Sequence, residues 1–264
     1  MPGDLSDLIG PNAAPEKVAG GFTSVRAPVF SRCGFLLFCD TTPGRIVKWE
    51  DRWFEGKGKV SVLRENSRAT GLTFDHEGRL LACERDRVTR TEKNRKITVL
   101  ADHLDTPQDL VYAIDGSVYF SDAGPQARAV YQVTRHGRVR TVSSDPSQPD
   151  GVALAPNQQK LYVADILGRQ IWVYKINGDG ALRDGRVFAP ARARGLKTDE
   201  GGNVWAAEDH AIAIYDAEGK RRGEVPLPED PSNFTWGDNF RDLYVTAETS
   251  IYKIETKVNG TRTY

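Results

Sequence analysis

One short phrase recurs six times along this chain, and its spacing constrains the fold more than any other feature. The phrase opens on a polar residue at a turn, runs through one or two apolar residues, and leads into a glycine-centred hairpin and a second strand. Its copies are Arg26-Ala27-Pro28-Val29-Phe30, Thr70-Gly71-Leu72-Thr73-Phe74, Gln108-Asp109-Leu110-Val111, Asp150-Gly151-Val152-Ala153-Leu154, Arg194-Gly195-Leu196-Lys197 and Asn233-Phe234-Thr235-Trp236. The steps between opening residues are 44, 38, 42, 44 and 39. Self-similarity at a fixed period near 40 residues is the signature of a repeat architecture.

Within a copy the pattern is that of short strands. Gly71-Leu72-Thr73-Phe74 meets Leu80-Leu81-Ala82-Cys83 across Asp75-His76-Glu77-Gly78, with glycine where a hairpin wants positive φ. A third strand follows each hairpin, such as Gln170-Ile171-Trp172-Val173-Tyr174, and most copies turn again into a fourth, such as Lys96-Ile97-Thr98-Val99-Leu100. Short strands at this density, with no helical period between them, form a blade of a β-propeller. Six copies predict an all-β, six-bladed β-propeller, with the segment around Glu16–Ala19 completing the last blade and closing the ring. No break in composition divides the chain, so 1–264 reads as a single domain, with 1–15 as a flexible N-terminal arm.

Composition excludes several roles. Lys+Arg and Asp+Glu both count 36, so the formal net charge is zero, which argues against nucleic acid and membrane surfaces as partners. No stretch approaches the roughly 20 apolar residues of a membrane span, and the N-terminus shows no apolar signal core. Three cysteines, Cys33, Cys39 and Cys83, lack metal-ligand spacing and read as free buried thiols in a reducing, cytoplasmic setting. The sequence does not specify an oligomeric state.

In a propeller the innermost strand of each blade lines the central channel, so the opening residues converge at one mouth of it. They are Arg26, Thr70, Gln108, Asp150, Arg194 and Asn233: two arginines, one acid, two amides and a hydroxyl. Residues far apart in sequence, gathered at a funnel, are how such a scaffold makes a small-molecule site. The alternative is that they only pair with one another and plug the channel, since buried charge persists only when paired. Glu84 and Glu208 follow equivalent strand ends and are candidates to reach the funnel, as is Trp236. Asp40, Asp122 and Asp165 end equivalent strands, and a repeated structural hydrogen bond is the expectation there.

At this point the chain resembles the regucalcin/gluconolactonase (senescence-marker-protein) family of six-bladed propellers, from about Phe22 to Gly260. The likeness rests on Gly71-Leu72-Thr73-Phe74-Asp75, Asp115-Gly116-Ser117-Val118-Tyr119-Phe120-Ser121-Asp122, Leu161-Tyr162-Val163-Ala164-Asp165 and Gly195-Leu196-Lys197-Thr198-Asp199. The resemblance implies hydrolysis of lactones, often of sugar acids, with a divalent cation on the channel axis. It further implies cation ligands from a Glu in Glu-Gly-Pro, an Asn in Pro-Asn-Gly and an Asp in Pro-Asp-Gly, with further Asn residues nearby. Those positions read here as Arg26, Asp150 in Pro149-Asp150-Gly151, and Arg194 in Ala193-Arg194-Gly195; Thr70 and Gln108 stand where two further Asn are expected. Guanidinium groups in place of carboxylates put fixed positive charge where the cation would sit.

The expectation is therefore an enzyme without calcium or zinc, taking a small oxygenated, anionic or lactone substrate. Arg26, Asp150 and Arg194 are its catalytic candidates, and Thr70, Gln108, Asn233, Glu84 and Trp236 are its substrate-binding candidates. Hydrolysis, or a rerouted isomerase, lyase or cyclase reaction through an enolate, both suit arginines that stabilise developing negative charge. A non-catalytic binding propeller and a metal-dependent lactonase with an altered site are the alternatives. A third is an interaction platform using Trp49 and Trp53.

Overall fold

The computed structural model describes residues 4–10, 13–51, 58–237 and 241–261. Within these, every extended segment belongs to one of six four-stranded antiparallel sheets, and there is no helix. Each sheet is a blade whose strands follow chain order from the channel outwards. The inner strands are Val25–Ser31, Ala69–Phe74, Pro107–Tyr112, Pro149–Leu154, Leu196–Thr198 and Pro231–Trp236, in blades I to VI. Blade VI takes its outer strand from the other end of the chain: Glu16–Gly20 pairs with Ser250–Glu255, Glu16 opposite Lys253 and Gly20 opposite Ser250. That pairing closes the ring and leaves no open edge between first and last blades.

The core lies between blades. Trp205, Ile212, Phe234, Trp236 and Val245 join blades V and VI, and Val111, Tyr119, Val152, Leu161 and Val163 join III and IV. Each such side chain contributes roughly 1.5–3 kcal/mol by leaving water. Residues 4–10 are not the flexible arm that the sequence suggests. Leu8 and Ile9 are buried in the V–VI cluster, Ile9 bridges Thr256, and Leu8 accepts the Lys257 N–H at 2.7 Å. Cys39 and Cys83 are buried free thiols, but Cys33 is exposed in a turn. Trp49 is buried against Tyr244 and Phe30's neighbours rather than at a rim, while Trp53 lies outside the described residues.

The expected repeated hydrogen bond at strand ends exists and explains how the inner strands are aimed. Asp40 accepts the N–H groups of Thr23 and Ser24, both at 3.1 Å. Asp122 accepts those of Asp105 at 2.8 Å and Thr106 at 2.7 Å, and Asp165 those of Ser147 and Gln148 at 2.9 Å. In each case a fully buried carboxylate holds the two residues just before its own blade's inner strand. Arg26, Gln108 and Asp150 come next but one along the chain, so these acids fix where the channel side chains start.

Strand register revises one alignment. Leu72 faces Ala82, Leu110 faces Phe120, Val152 faces Val163, Leu196 faces Ala206 and Phe234 faces Val245. Counting back from these pairs, Ser232 is level with Thr70, Gln108, Asp150 and Arg194, and Asn233 is level with Gly71, Asp109, Gly151 and Gly195. Hydrogen bonding agrees: Thr70 Oγ1 donates to Pro107 O at 2.6 Å, and Ser232 Oγ to Val25 O at 2.7 Å. Each thereby ties its blade to the residue before the next blade's opening position. In blade I the register slips between Arg26 and Val29, and Ala27 takes a positive φ of 51° to absorb the extra residue.

Candidate functional site

Two rings of side chains fill the channel mouth. The outer ring holds Arg26, Thr70, Gln108, Asp150, Arg194 and Ser232, at the N-terminal ends of the inner strands. Arg26 in blade I reaches across to Asp150 in blade IV, with Nη2 at 3.4 Å from Oδ2 and 3.5 Å from Oδ1. Its Nη1 donates to Gln108 Oε1 at 3.2 Å, and Gln108 in turn donates to Thr106 O at 3.1 Å. Thr70 is spent on Pro107 O. Arg194 is exposed, and its guanidinium meets no acceptor among the described residues; only its backbone is engaged, donating to Ala207 O and accepting from Gly151 N, both at 2.9 Å.

The second ring explains why glycine follows the opening residue in three blades. A Cβ on Gly151 would stand 2.1 Å from Arg194 O, one on Gly71 2.7 Å from Gln108 O, and one on Gly195 2.4 Å from the Asn233 carboxamide. Blade I has Ala27 here, and the two blades that carry a polar side chain, III and VI, face each other. Asn233 Nδ2 donates across the axis to Asp109 Oδ2 at 3.4 Å, which also accepts Val152 N–H at 3.3 Å. Lys197, one step deeper in blade V, donates to Asn233 Oδ1 at 3.2 Å and to Leu196 O at 3.0 Å. The channel is thus crossed by two diametric links: an ion pair between I and IV, and an amide–carboxylate pair between III and VI.

Burial pushes the Asp150 carboxyl above its ordinary value; Arg26 pulls it down, Asp109 adds to the rise and Arg194 opposes it. The carboxylate is therefore a stronger base than a solvated aspartate, not the readily ionised one its arginine neighbours alone would suggest. Burial likewise lowers the Lys197 ammonium, with Asp109 acting in the opposite sense. Asp109 and Lys197 were not among the residues singled out from sequence.

Of the eight candidates, Arg26, Gln108, Asp150, Arg194 and Asn233 meet at the mouth, with Thr70 on its wall. Glu84 does not join them. It is buried under blades I and II, where Arg64 donates to it at 2.7 Å, Ser67 at 2.6 Å and Thr89 at 3.0 Å. It reaches the approach to its inner strand only through the Ser67 hydroxyl, where Asp40 and Asp122 take backbone N–H groups. Glu208 is similarly taken by Tyr215 and Arg221. Trp236 sits at the far end of its strand, buried edge-to-face on Trp205, and lines the opposite end of the channel.

Residues 27–249 match the family described as the SMP-30/gluconolactonase/LRE-like region. The chain belongs to that family. Its SMP-30/gluconolactonase relatives include a gluconolactonase of Zymomonas mobilis, 23% identical over 93% of this chain and 82% of the relative. A pentonolactonase of Haloferax volcanii is 26% identical over 80% of this chain and 76% of the relative. Among solved structures, a gluconolactonase-family protein from a structural genomics programme gives a TM-score of 0.89 at 26% identity, covering 98% of this chain and 97% of that one. Regucalcin of Agrobacterium tumefaciens, at 16% identity, shares the fold with a TM-score of 0.79 over 95% of this chain and 98% of its own. Among these relatives the chain is a gluconolactonase-like enzyme.

The residues at the mouth do not fit the divalent cation that the family resemblance implies. Hard dications take several oxygen donors with carboxylates supplying charge. Here the outer ring offers one carboxylate, Asp150, which Arg26 already pairs with, and the second ring offers one more, Asp109, which already accepts from Asn233 and the Val152 N–H. Among the described residues, no three His, Cys, Asp or Glu side chains are grouped to hold a metal.

Proposed function

We propose that this chain hydrolyses the lactone of a sugar acid at the Arg26/Asp150/Arg194 mouth, with guanidinium N–H donors taking the electrostatic role of a cation. The observation that carries the reading is the diametric Arg26–Asp150 pair beside the uncommitted Arg194. When water adds to a lactone carbonyl, negative charge develops on its oxygen. Arg194, exposed at the mouth and lacking a protein acceptor among the described residues, is the donor for that oxyanion. Asp150 accepts the proton of the attacking water, its basicity strengthened by burial. Arg26 fixes the carboxylate's orientation, and Gln108 fixes Arg26. Collapse of the tetrahedral intermediate breaks the ring C–O bond; the leaving alkoxide takes back the proton from Asp150, and the new carboxylic acid, still holding water's second proton, releases it to solvent so that its carboxylate faces Arg194. Arginine's planar fork and permanent charge suit it to both the oxyanion and that product.

A second reading has one observation in its favour. A buried carboxylate flanked by two guanidiniums is also the set needed to remove a proton α to a carboxylate and hold the enolate. The two readings part in deuterium oxide, where the second incorporates deuterium at carbon and the first does not.

The test uses purified protein stripped with a chelator and assayed on aldonolactones of five and six carbons against spontaneous opening. Turnover should survive chelation, and Arg194→Met and Arg26→Met should each lower kcat/KM by about 10²–10³-fold with the fold retained. Activity that appears only on adding calcium, zinc or manganese would refute the proposal.

A further inference from the structure

The channel has a second end, and the proposed chemistry does not use it. Below the two polar rings lies a cavity of about 540 Å³, within the size range of small-molecule sites. None of the outer-ring residues lines it. Its walls come from the C-terminal halves of the inner strands, among them Leu72, Leu110, Val152 and Trp236. Lys197 is its floor and the exposed Arg32 stands at its rim. No acidic side chain lines it among the described residues.

Lys197 makes this more than a water-filled hole. An ammonium has three protons to donate, and two of these go to Leu196 O and Asn233 Oδ1. The third has no acceptor among the described residues. With no acidic side chain in the described lining, that N–H is left for an anion entering from the cavity, whose walls mix aliphatic side chains with the hydroxyls of Ser31, Thr73, Thr198, Thr235 and Thr261. Asp109, which acts on it electrostatically, sits on the polar-ring side and does not line the cavity.

We propose that the cavity is a binding site for a small monocarboxylate with an apolar body, its carboxylate on Lys197 and its hydrocarbon against Leu72, Leu110, Val152 and Trp236. The site is distinct from the lactone-opening mouth and stands whether or not that reading holds.

Isothermal titration calorimetry with hexanoate, octanoate and 1-hexanol tests it on the full chain. Octanoate should bind roughly fifteenfold more tightly than hexanoate, at about fourfold per buried methylene. Hexanol should bind at least about tenfold more weakly than hexanoate, as expected on losing a charge-assisted contact. Lys197→Met should abolish the advantage of acid over alcohol. Thr235→Trp, which fills the cavity from a half-buried wall position, should abolish binding of both. Arg194→Met should leave octanoate binding intact. The proposal is overturned if neither acid binds saturably or if acid and alcohol bind alike. It is equally overturned if octanoate binding survives Thr235→Trp or is lost in Arg194→Met, which would place the acid at the other mouth. Should Lys197→Met fail to fold, the Thr235 and Arg194 variants still decide the matter.

Discussion

Replacing Asp150 by asparagine separates the charge of this residue from its shape. At 3.4 Å the attraction between Arg26 and Asp150 amounts to about 5 kcal/mol in an effective dielectric near 20. Against it stand the loss of water around the carboxylate, typically several kcal/mol, and the proximity of Asp109. The carboxyl ends above its ordinary value of 3.8 with burial as the largest cause, so desolvation wins. Between the two pKa values the folded protein keeps a proton that the unfolded chain has released. Stability therefore falls as pH rises through that interval, and at neutral pH the ionised side chain works against folding. Asparagine has the shape of the protonated acid and carries no such penalty. Arg26, whose side chain is about a quarter exposed, regains water when its partner loses charge.

The expected result is an Asp150→Asn protein more stable than the parent at neutral pH by about 1–2 kcal/mol, the usual scale for relieving one unfavourable group. For a chain of this size that raises the melting temperature by about 2–8 °C. The gap should shrink as pH falls and vanish below the ordinary carboxylate value of 3.8. Lactone turnover should drop by about 10²–10⁴-fold, the range for loss of a general base. Melting curves across the acid range, read beside kcat, check both halves. A variant less stable than the parent at neutral pH, or a gap indifferent to pH, would show that the ion pair dominates and that Asp150 is a structural counter-ion.

Gly151→Ala drives a Cβ to 2.1 Å from Arg194 O and 2.8 Å from Leu196 N, across the seam between blades IV and V; denaturant melts should show a loss of about 3 kcal/mol. Asp122→Ala strips the acceptor from the N–H groups of Asp105, Thr106 and Gly124, and should lower stability by about 3–5 kcal/mol with hydrogen exchange at those amides accelerated. Burial opposes ionisation of Glu229, but hydrogen bonds from Ser250, the Thr249 backbone and Tyr252, with Lys17 nearby, carry its carboxyl down to about 2. Its contribution to stability is complete above the unfolded value of 4.5 and is lost as pH falls through about 2, so Glu229→Gln should cost about 2 kcal/mol near neutrality and nothing in strong acid.

The fold was legible because the hairpin glycines and the apolar strand pairs repeat at a spacing that only a ring of blades explains. The register inside a copy was harder to read. In the last blade both Ser232 and Asn233 are polar, and either can open the phrase when residue type alone is compared. The glycines of Asp150-Gly151-Val152 and Arg194-Gly195-Leu196 were the better anchor. Aligned on them, Ser232-Asn233-Phe234 puts the serine first and the asparagine in the glycine's place. A one-residue slip matters because side chains alternate faces along a strand. Asp109 and Lys197 are hard to nominate as site residues because each lies in an inner strand, where a charged residue passes for the solvated face. In a propeller's innermost strand there is no solvated face, so a charge at that position is itself the signal.

Placed correctly, the hub charges also explain why a single arginine is free to act. Five charged side chains meet there: Arg26, Arg194, Lys197, Asp109 and Asp150. Arg26 pairs directly with Asp150, and Asp109 offsets Lys197 through field and through their shared partner Asn233. With both acids ionised and the lysine protonated, one positive charge remains, and it resides on Arg194, the member with no protein acceptor among the described residues. In the proposed reaction a lactone enters neutral at the reacting centre and acquires one negative charge in the transition state. The mouth is thus balanced for the charge that develops rather than for the ground state, which is the condition for catalysis by differential binding.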